Sequence, residues 1–105
     1  MVNCKGEMIS VISRFTVING MEAEVRDAFV NRPHLVEDAP GFIRLEVHSS
    51  IENPAEFWLL TWWESEELFN QWHKNHRHES HQFMPKGLRL DPRGTEVKVL
   101  THIAS

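Results

Sequence analysis

The spacing of apolar positions shifts repeatedly along the chain, and each shift marks an element. Residues 8–18, Met8 to Ile18, set Ile9, Val11, Phe15 and Val17 against Ser10, Arg14 and Thr16, which predicts a strand whose apolar face is interrupted by Ser13. Asn19-Gly20 then turns the chain. From Met21 the spacing becomes helical through Val25, Ala28 and Phe29, and Glu22 and Glu24 fall in the first turn, where the helix dipole favours carboxylates. Pro33 lacks an N–H and clashes with the preceding turn, so it is expected to interrupt or kink this helix. Leu35 and Val36 continue the apolar side for a final turn, and Ala39-Pro40-Gly41 ends it.

Residues 42–49 alternate again, with Ile43, Leu45 and Val47 on one face and Arg44, Glu46 and His48 on the other. After an Asn53-Pro54 turn, residues 56–63, EFWLLTWW, predict a strand that is apolar on both faces. Phe57, Leu59 and Trp63 point one way and Trp58, Leu60 and Trp62 the other, the pattern of a central strand. Ser65 can cap a second helix that carries Glu66 and Glu67 in its first turn and Leu68, Phe69 and Trp72 on its inner stripe. This helix is expected to fray near Asn75 and to restart around His78. Turns at Met84–Gly87 and Asp91–Gly94 lead to a last strand over 95–103, with Val97, Val99 and Ile103 on one face.

The order β-α-β-β-α-β predicts an α+β, ferredoxin-like domain spanning residues 1–105, with its core at about 8–103: a four-stranded antiparallel sheet with two helices on one face. The other sheet face then carries Trp58, Leu60 and Trp62, an apolar patch that a monomer rarely leaves in water. A homodimer packed sheet against sheet is the expected solution.

Composition narrows the classes. The chain has 105 residues, of which 41% are hydrophobic, and a formal charge of −4 with no long basic block, so a nucleic-acid footprint is unsupported. No run of about 18 apolar residues is present, and no membrane span is expected. The N-terminus shows no basic start followed by an apolar stretch, and a single cysteine, Cys4, cannot form an intrachain disulfide; a cytoplasmic location is the expectation. Four tryptophans and six phenylalanines in so short a chain point to a dense core, or to a core plus an apolar interface or pocket.

The segment WHKNHRHESH, Trp72 to His81, holds four of the seven histidines. His73 and His76 are three apart, as are His78 and His81, so either pair could share a helical face. Zinc requires three or four convergent ligands; no cysteine joins these, Glu79 is the nearest carboxylate, and the ligands fall where a helix should fray. A polar lid segment is the simpler reading.

With the elements in place, the chain resembles the antibiotic biosynthesis monooxygenase family of dimeric α/β barrels. The resemblance rests on APGFIRLEV after the first helix, on FWLLTWWESEELFNQW, and on a histidine nine positions after Trp72. Within that family it is most similar to the haem-degrading IsdG-type branch, which uses an axial histidine, a tryptophan and an asparagine. The resemblance implies that Trp72 is the pocket tryptophan and that His81 is the axial haem ligand. The asparagine position falls at Ser13, a departure that bears on oxygen activation more than on haem binding. Arg14 and Arg44 could meet an anionic group such as a propionate, although strand arginines are commonly solvated or salt-bridged. The absence of tyrosine argues against the cofactor-free branch that oxidises phenolic polyketides. Without the family frame, Trp72 reads equally as core and His81 as an ordinary surface histidine. Two functions compete on this reading. One is a monooxygenase that binds haem or another flat aromatic molecule between helices and sheet. The other is a non-catalytic small-molecule binding protein of the same fold.

Overall fold

The computed structural model describes residues 8–32, 36–76 and 84–105, with Asn75 and His76 described by backbone alone. Its elements are β1 (Ile9–Thr16), α1 (Glu22–Val30), a single 3-10 turn (Val36–Asp38), β2 (Phe42–Ser49), β3 (Glu56–Trp63), α2 (Glu66–His76) and β4 (Glu96–Thr101). The strands form one sheet in the order β2-β3-β1-β4, and every neighbouring pair is antiparallel. This is the ferredoxin-like arrangement expected from the element order.

Strand ends follow from where partners run out. The regular ladder of β1 stops at Thr16, where its partner strand β3 begins at Glu56; beyond it the Val17 N–H donates to the Ala55 carbonyl at 2.9 Å, and Val17 forms an isolated bridge with Leu90. The sequence pattern predicts a last strand over 95–103, whereas β4 runs from Glu96 to Thr101. The final ladder contact, from the His102 N–H to the Met8 carbonyl at 2.9 Å, lies at the very start of β1, and Ile103 beyond it is 88% exposed. The first helix is shorter than its apolar pattern suggests. It ends at Val30, where the Asn31 N–H and its side-chain amide both donate to the Asp27 carbonyl at 3.0 Å. A proline at position 33 disfavours helical geometry at Arg32, so the chain stops before the apolar residues that would extend the stripe. Val36 is buried from the 3-10 turn rather than from a last α-helical turn.

Alternation along β1 and β3 sends Ile9, Val11, Ser13, Phe15, Phe57, Leu59, Thr61 and Trp63 to the helix-covered face. Two clusters form on it. Under α2, Trp63 (0% exposed) is packed with Ile9, Val11, Val36 and Phe69, with Phe42 and Trp72 at its margin. Under α1, Val25, Phe29, Phe57 and Val17 gather, with Phe15 stacked on Phe57 at 5.4 Å between ring centroids. The second helix begins as expected, since the Leu68 N–H donates to Ser65 Oγ at 3.3 Å.

Gly41 lets α2 approach the sheet. Its φ is +83°, and a Cβ added there would lie 2.5 Å from Leu68 Cδ1 and 2.9 Å from Leu68 Cβ. The Glu64 N–H donates to the Gly41 carbonyl at 2.8 Å, which ties the start of β2 to the end of β3. The PGF motif is therefore a backbone requirement at the foot of α2.

The opposite sheet face presents Trp58, Leu60 and Trp62 in a half-buried row. Two arginines cover its tryptophans: Arg44 sits 4.0 Å from the Trp62 ring centroid, and Arg14 5.7 Å from that of Trp58.

Candidate functional site

Between the two core clusters the sheet surface is not filled, and a cavity of about 360 Å³ opens there. Its floor comes from β1 and β3. Ser13 lies opposite Leu59 on one side and opposite Val97 of β4 on the other, so its hydroxyl group sits mid-sheet at the seam. From α2 come Phe69 and Trp72; from α1 comes Phe29; and Arg32 follows from the chain after α1. Trp72 is half-buried and rests against Trp63, with ring centroids 5.7 Å apart and planes tilted by 40°. Trp63 is itself held by a 3.0 Å hydrogen bond from its Nε1–H to Thr61 Oγ1. An indole that leans on a second, anchored indole is a rigid wall suited to a flat ligand.

The far wall comes from a segment whose sequence, Met84–Gly87, reads only as a turn. Met84, Leu88 and Leu90 all line the cavity. Their segment is pinned to the turn after β1: Asn19 Nδ2 donates to the Gly87 carbonyl at 2.7 Å, and the Ile18 N–H to that of Arg89 at 3.0 Å. Apolar residues at 84, 88 and 90 were the available signal, but they are too few and too irregularly spaced to register as an element.

Of the residues singled out in the sequence, Ser13 and Trp72 border the same cavity. Arg14 also borders it, but strand alternation directs its side chain to the opposite face, where Nη2 lies 3.3 Å from Glu96 Oε1 and the guanidinium covers Trp58. Arg44 is likewise on the opposite face, 3.4 Å from Glu46. Arg32 also lines the cavity wall, bonded to Glu37 and, weakly, to the Phe29 carbonyl at 3.5 Å. Nothing periodic distinguishes Arg32 in the sequence, because it falls between the helix end and Pro33. His81 and His78 lie outside the described residues. His73 lines the cavity mouth, stacked on Phe69 at 5.5 Å. Among the described residues, no three His, Cys, Asp or Glu side chains converge to hold a metal ion. Among the same residues, no helix is long and apolar enough to cross a membrane.

The site is thus a slot with largely apolar and aromatic walls, with the Ser13 hydroxyl on its floor and the Arg32 guanidinium at its side. Over 61 residues the chain is 31% identical to a heme oxygenase (mycobilin-producing) of Mycobacterium tuberculosis, a match spanning 58% of each chain and so less than two thirds of that relative's length. Its fold is similar to that of the heme-degrader MhuD from the same organism, solved with two hemes in its active site: the TM-score is 0.75 at 22% identity, over 92% of this chain and 97% of the other. It is also similar to SnoaB, a cofactor-independent oxygenase from Streptomyces nogalater, with a TM-score of 0.73 at 18% identity over 94% and 96% of the two chains. At those identities the structural likeness speaks for the fold. Residues 8–82, from the first strand through both helices, match the model of one family, and by that match the chain belongs to the antibiotic biosynthesis monooxygenase family.

Proposed function

We propose that the protein is an oxygenase that takes a flat aromatic molecule, haem foremost, into the cavity between the sheet and its helices. The observation that carries this reading is that Ser13 and Trp72, from elements 59 positions apart in sequence, border one aromatic-walled slot. A cavity of about 360 Å³ falls in the range of about 300–1,000 Å³ usual for small-molecule sites, and Phe69, Trp72 and His73 of α2 line it. These features fit haem. Trp72 would contact and shape the ring, His81 would supply the nitrogen ligand, and Ser13 would present its hydroxyl from the sheet. When bound, haem supplies the iron and macrocycle that carry oxygen chemistry. The chain's own part is to ligate, orient and exclude water. Leu59, Phe69 and Trp63 remove solvent from the slot, and Arg32 can hold an acidic group of the ligand at the wall.

In this reading the working unit is a homodimer joined through the sheet faces, as the half-buried row of Trp58, Leu60 and Trp62 requires a covering surface. A reducing cytoplasm suits a chain with one cysteine. The test is an absorbance titration of the purified protein with haem. The expected result is a saturable Soret shift at one haem per protomer, weakened in Trp72→Ala. No spectral change would overturn the haem assignment and turn attention to other planar aromatics.

A second reading is favoured by one residue. Ser13 offers a short hydroxyl where the related haem degraders are expected to carry an amide, and a protein so equipped could hold its ligand without oxidising it. Tight haem binding with no loss of the Soret band under reductant and oxygen would select this carrier role.

A further inference from the structure

We propose that a second cavity, between α1 and the edge strand β2, binds small apolar carboxylates, of which an aromatic carboxylate is the best-matched class. This cavity has a volume of about 350 Å³. It does not depend on the oxygenase reading, because Ser13 and Trp72 take no part in it.

Its walls have two characters. The apolar part is made by Phe57, which is 2% exposed, with Leu45, Val47 and Phe29. The polar part is cationic, from Arg26 on α1 and Arg32 just after it, and none of the lining residues is acidic. Arg26 is exposed and makes no ion pair among the described residues. Arg32 is held on one side by Glu37, while its Nε is buried and has no hydrogen-bond partner among the described residues. That side chain keeps a donor unspent, and it gains by turning towards an incoming anion. His48 also borders the cavity, but its imidazole lies on the other sheet face, 3.0 Å from Glu46. What it contributes here is edge-strand backbone, since β2 pairs on one side only.

These features select the ligand. Guanidinium groups recognise carboxylates through paired N–H donors. A bare inorganic anion would satisfy the arginines and leave the apolar floor wet. A neutral hydrocarbon would cover the floor and leave two cations facing it. A carboxylate on a flat or aliphatic body meets both demands. Phe29, Arg32 and Leu45 line this cavity and the larger one alike, so the two share a wall. Filling the smaller one should therefore be felt in the larger.

The test uses 2-naphthoate and its neutral analogue 2-naphthylmethanol, each titrated into the full chain and followed by amide chemical shifts. The expected result is that naphthoate shifts Val30, Val47 and Ser49 in a saturable manner. Arg26→Ala, at an exposed position that does not threaten the fold, should weaken naphthoate by fivefold or more at these amides and leave the alcohol's affinity unchanged. Val47→Trp, which fills the floor, should remove binding of both there, with the remaining amide spectrum reporting an intact fold. Trp72→Ala should leave the naphthoate response at Val30, Val47 and Ser49 in place even if haem binding is lost. The proposal is overturned if naphthoate shifts only Ser13 and Val97, or if Arg26→Ala binds it as tightly as the wild type.

Discussion

Replacing Gly41 with alanine tests whether the close seat of α2 depends on that one missing side chain. Two costs add there. Alanine must adopt a φ of +83°, which for an L-residue costs about 1–2 kcal/mol. Its Cβ would also meet Leu68 Cδ1 at 2.5 Å and Leu68 Cβ at 2.9 Å, so the leucine or the helix must shift. Forcing an extra methyl into a packed contact costs about 1–3 kcal/mol. The sum is about 2–5 kcal/mol, a large share of the roughly 5–15 kcal/mol that holds a domain of this kind together. Gly20 supplies the control: its φ is +77°, and nothing lies within 4 Å of the added Cβ, so Gly20→Ala should cost only the backbone share of about 1–2 kcal/mol. Urea unfolding at a fixed protomer concentration, with the slope unchanged between variants, reads the difference directly. Gly41→Ala should lose about 1–3 kcal/mol more than Gly20→Ala, and Leu68→Ala introduced together with it should return part of that loss. Equal midpoints for the two single variants would refute the claim that Gly41 sets the distance between α2 and the sheet.

Three further outcomes follow from the proposed site and assembly. His81→Ala should abolish the spectrum of histidine-ligated haem while His76→Ala keeps it, and equal losses in both would indicate diffuse binding by the histidine segment; because the ligand must be a neutral imidazole, haem affinity should also fall below about pH 6. Ser13→Asn should speed Soret loss under reductant and oxygen by up to about a hundredfold, the scale of a well-placed hydrogen-bond donor, measured with catalase present; fast decay in the wild type, unchanged in Ser13→Ala, would remove position 13 from the chemistry. Leu60→Glu, in the centre of the half-buried outer row, should give a monomer of 12.3 kDa by light scattering or an unfolded chain, whereas a wild-type protein already monomeric at micromolar concentration would contradict the dimer.

The elements most legible in the sequence were those with a clean period and punctuation at both ends. β2 and β3 occupy the residues their alternation marks, 42–49 and 56–63, because turn residues flank each and both faces of EFWLLTWW demand burial. α1 was overextended because its apolar stripe continues past Pro33, and backbone chemistry at the proline outweighed the stripe. Ser13 stood out only as a gap in an apolar face. Its place mid-sheet, opposite Leu59 and Val97, depends on strand register, which a single strand does not specify. Arg14, its neighbour, borders the cavity too, but its parity turns the guanidinium towards Trp58 and Glu96. Arg32 and the wall of Met84, Leu88 and Leu90 were illegible because irregular segments acquire their positions from tertiary bonds such as those of Asn19, not from any local period.

The gap between the two core clusters has a thermodynamic consequence. A folded chain with an unfilled slot in its interior lacks part of its own hydrophobic core, and a bound ligand completes it. Phe15, Leu59 and Trp72, each half-buried, would then bury their remaining surface against the guest. Any ligand that binds the folded form alone raises its stability in proportion to the logarithm of its concentration, by about 2.7 kcal/mol at a hundredfold excess over Kd. In a domain of this length that raises the melting temperature by about 10–20 °C. The resistance of the empty and filled protein to heat, or to a protease, would then report how much of its ligand the surroundings contain.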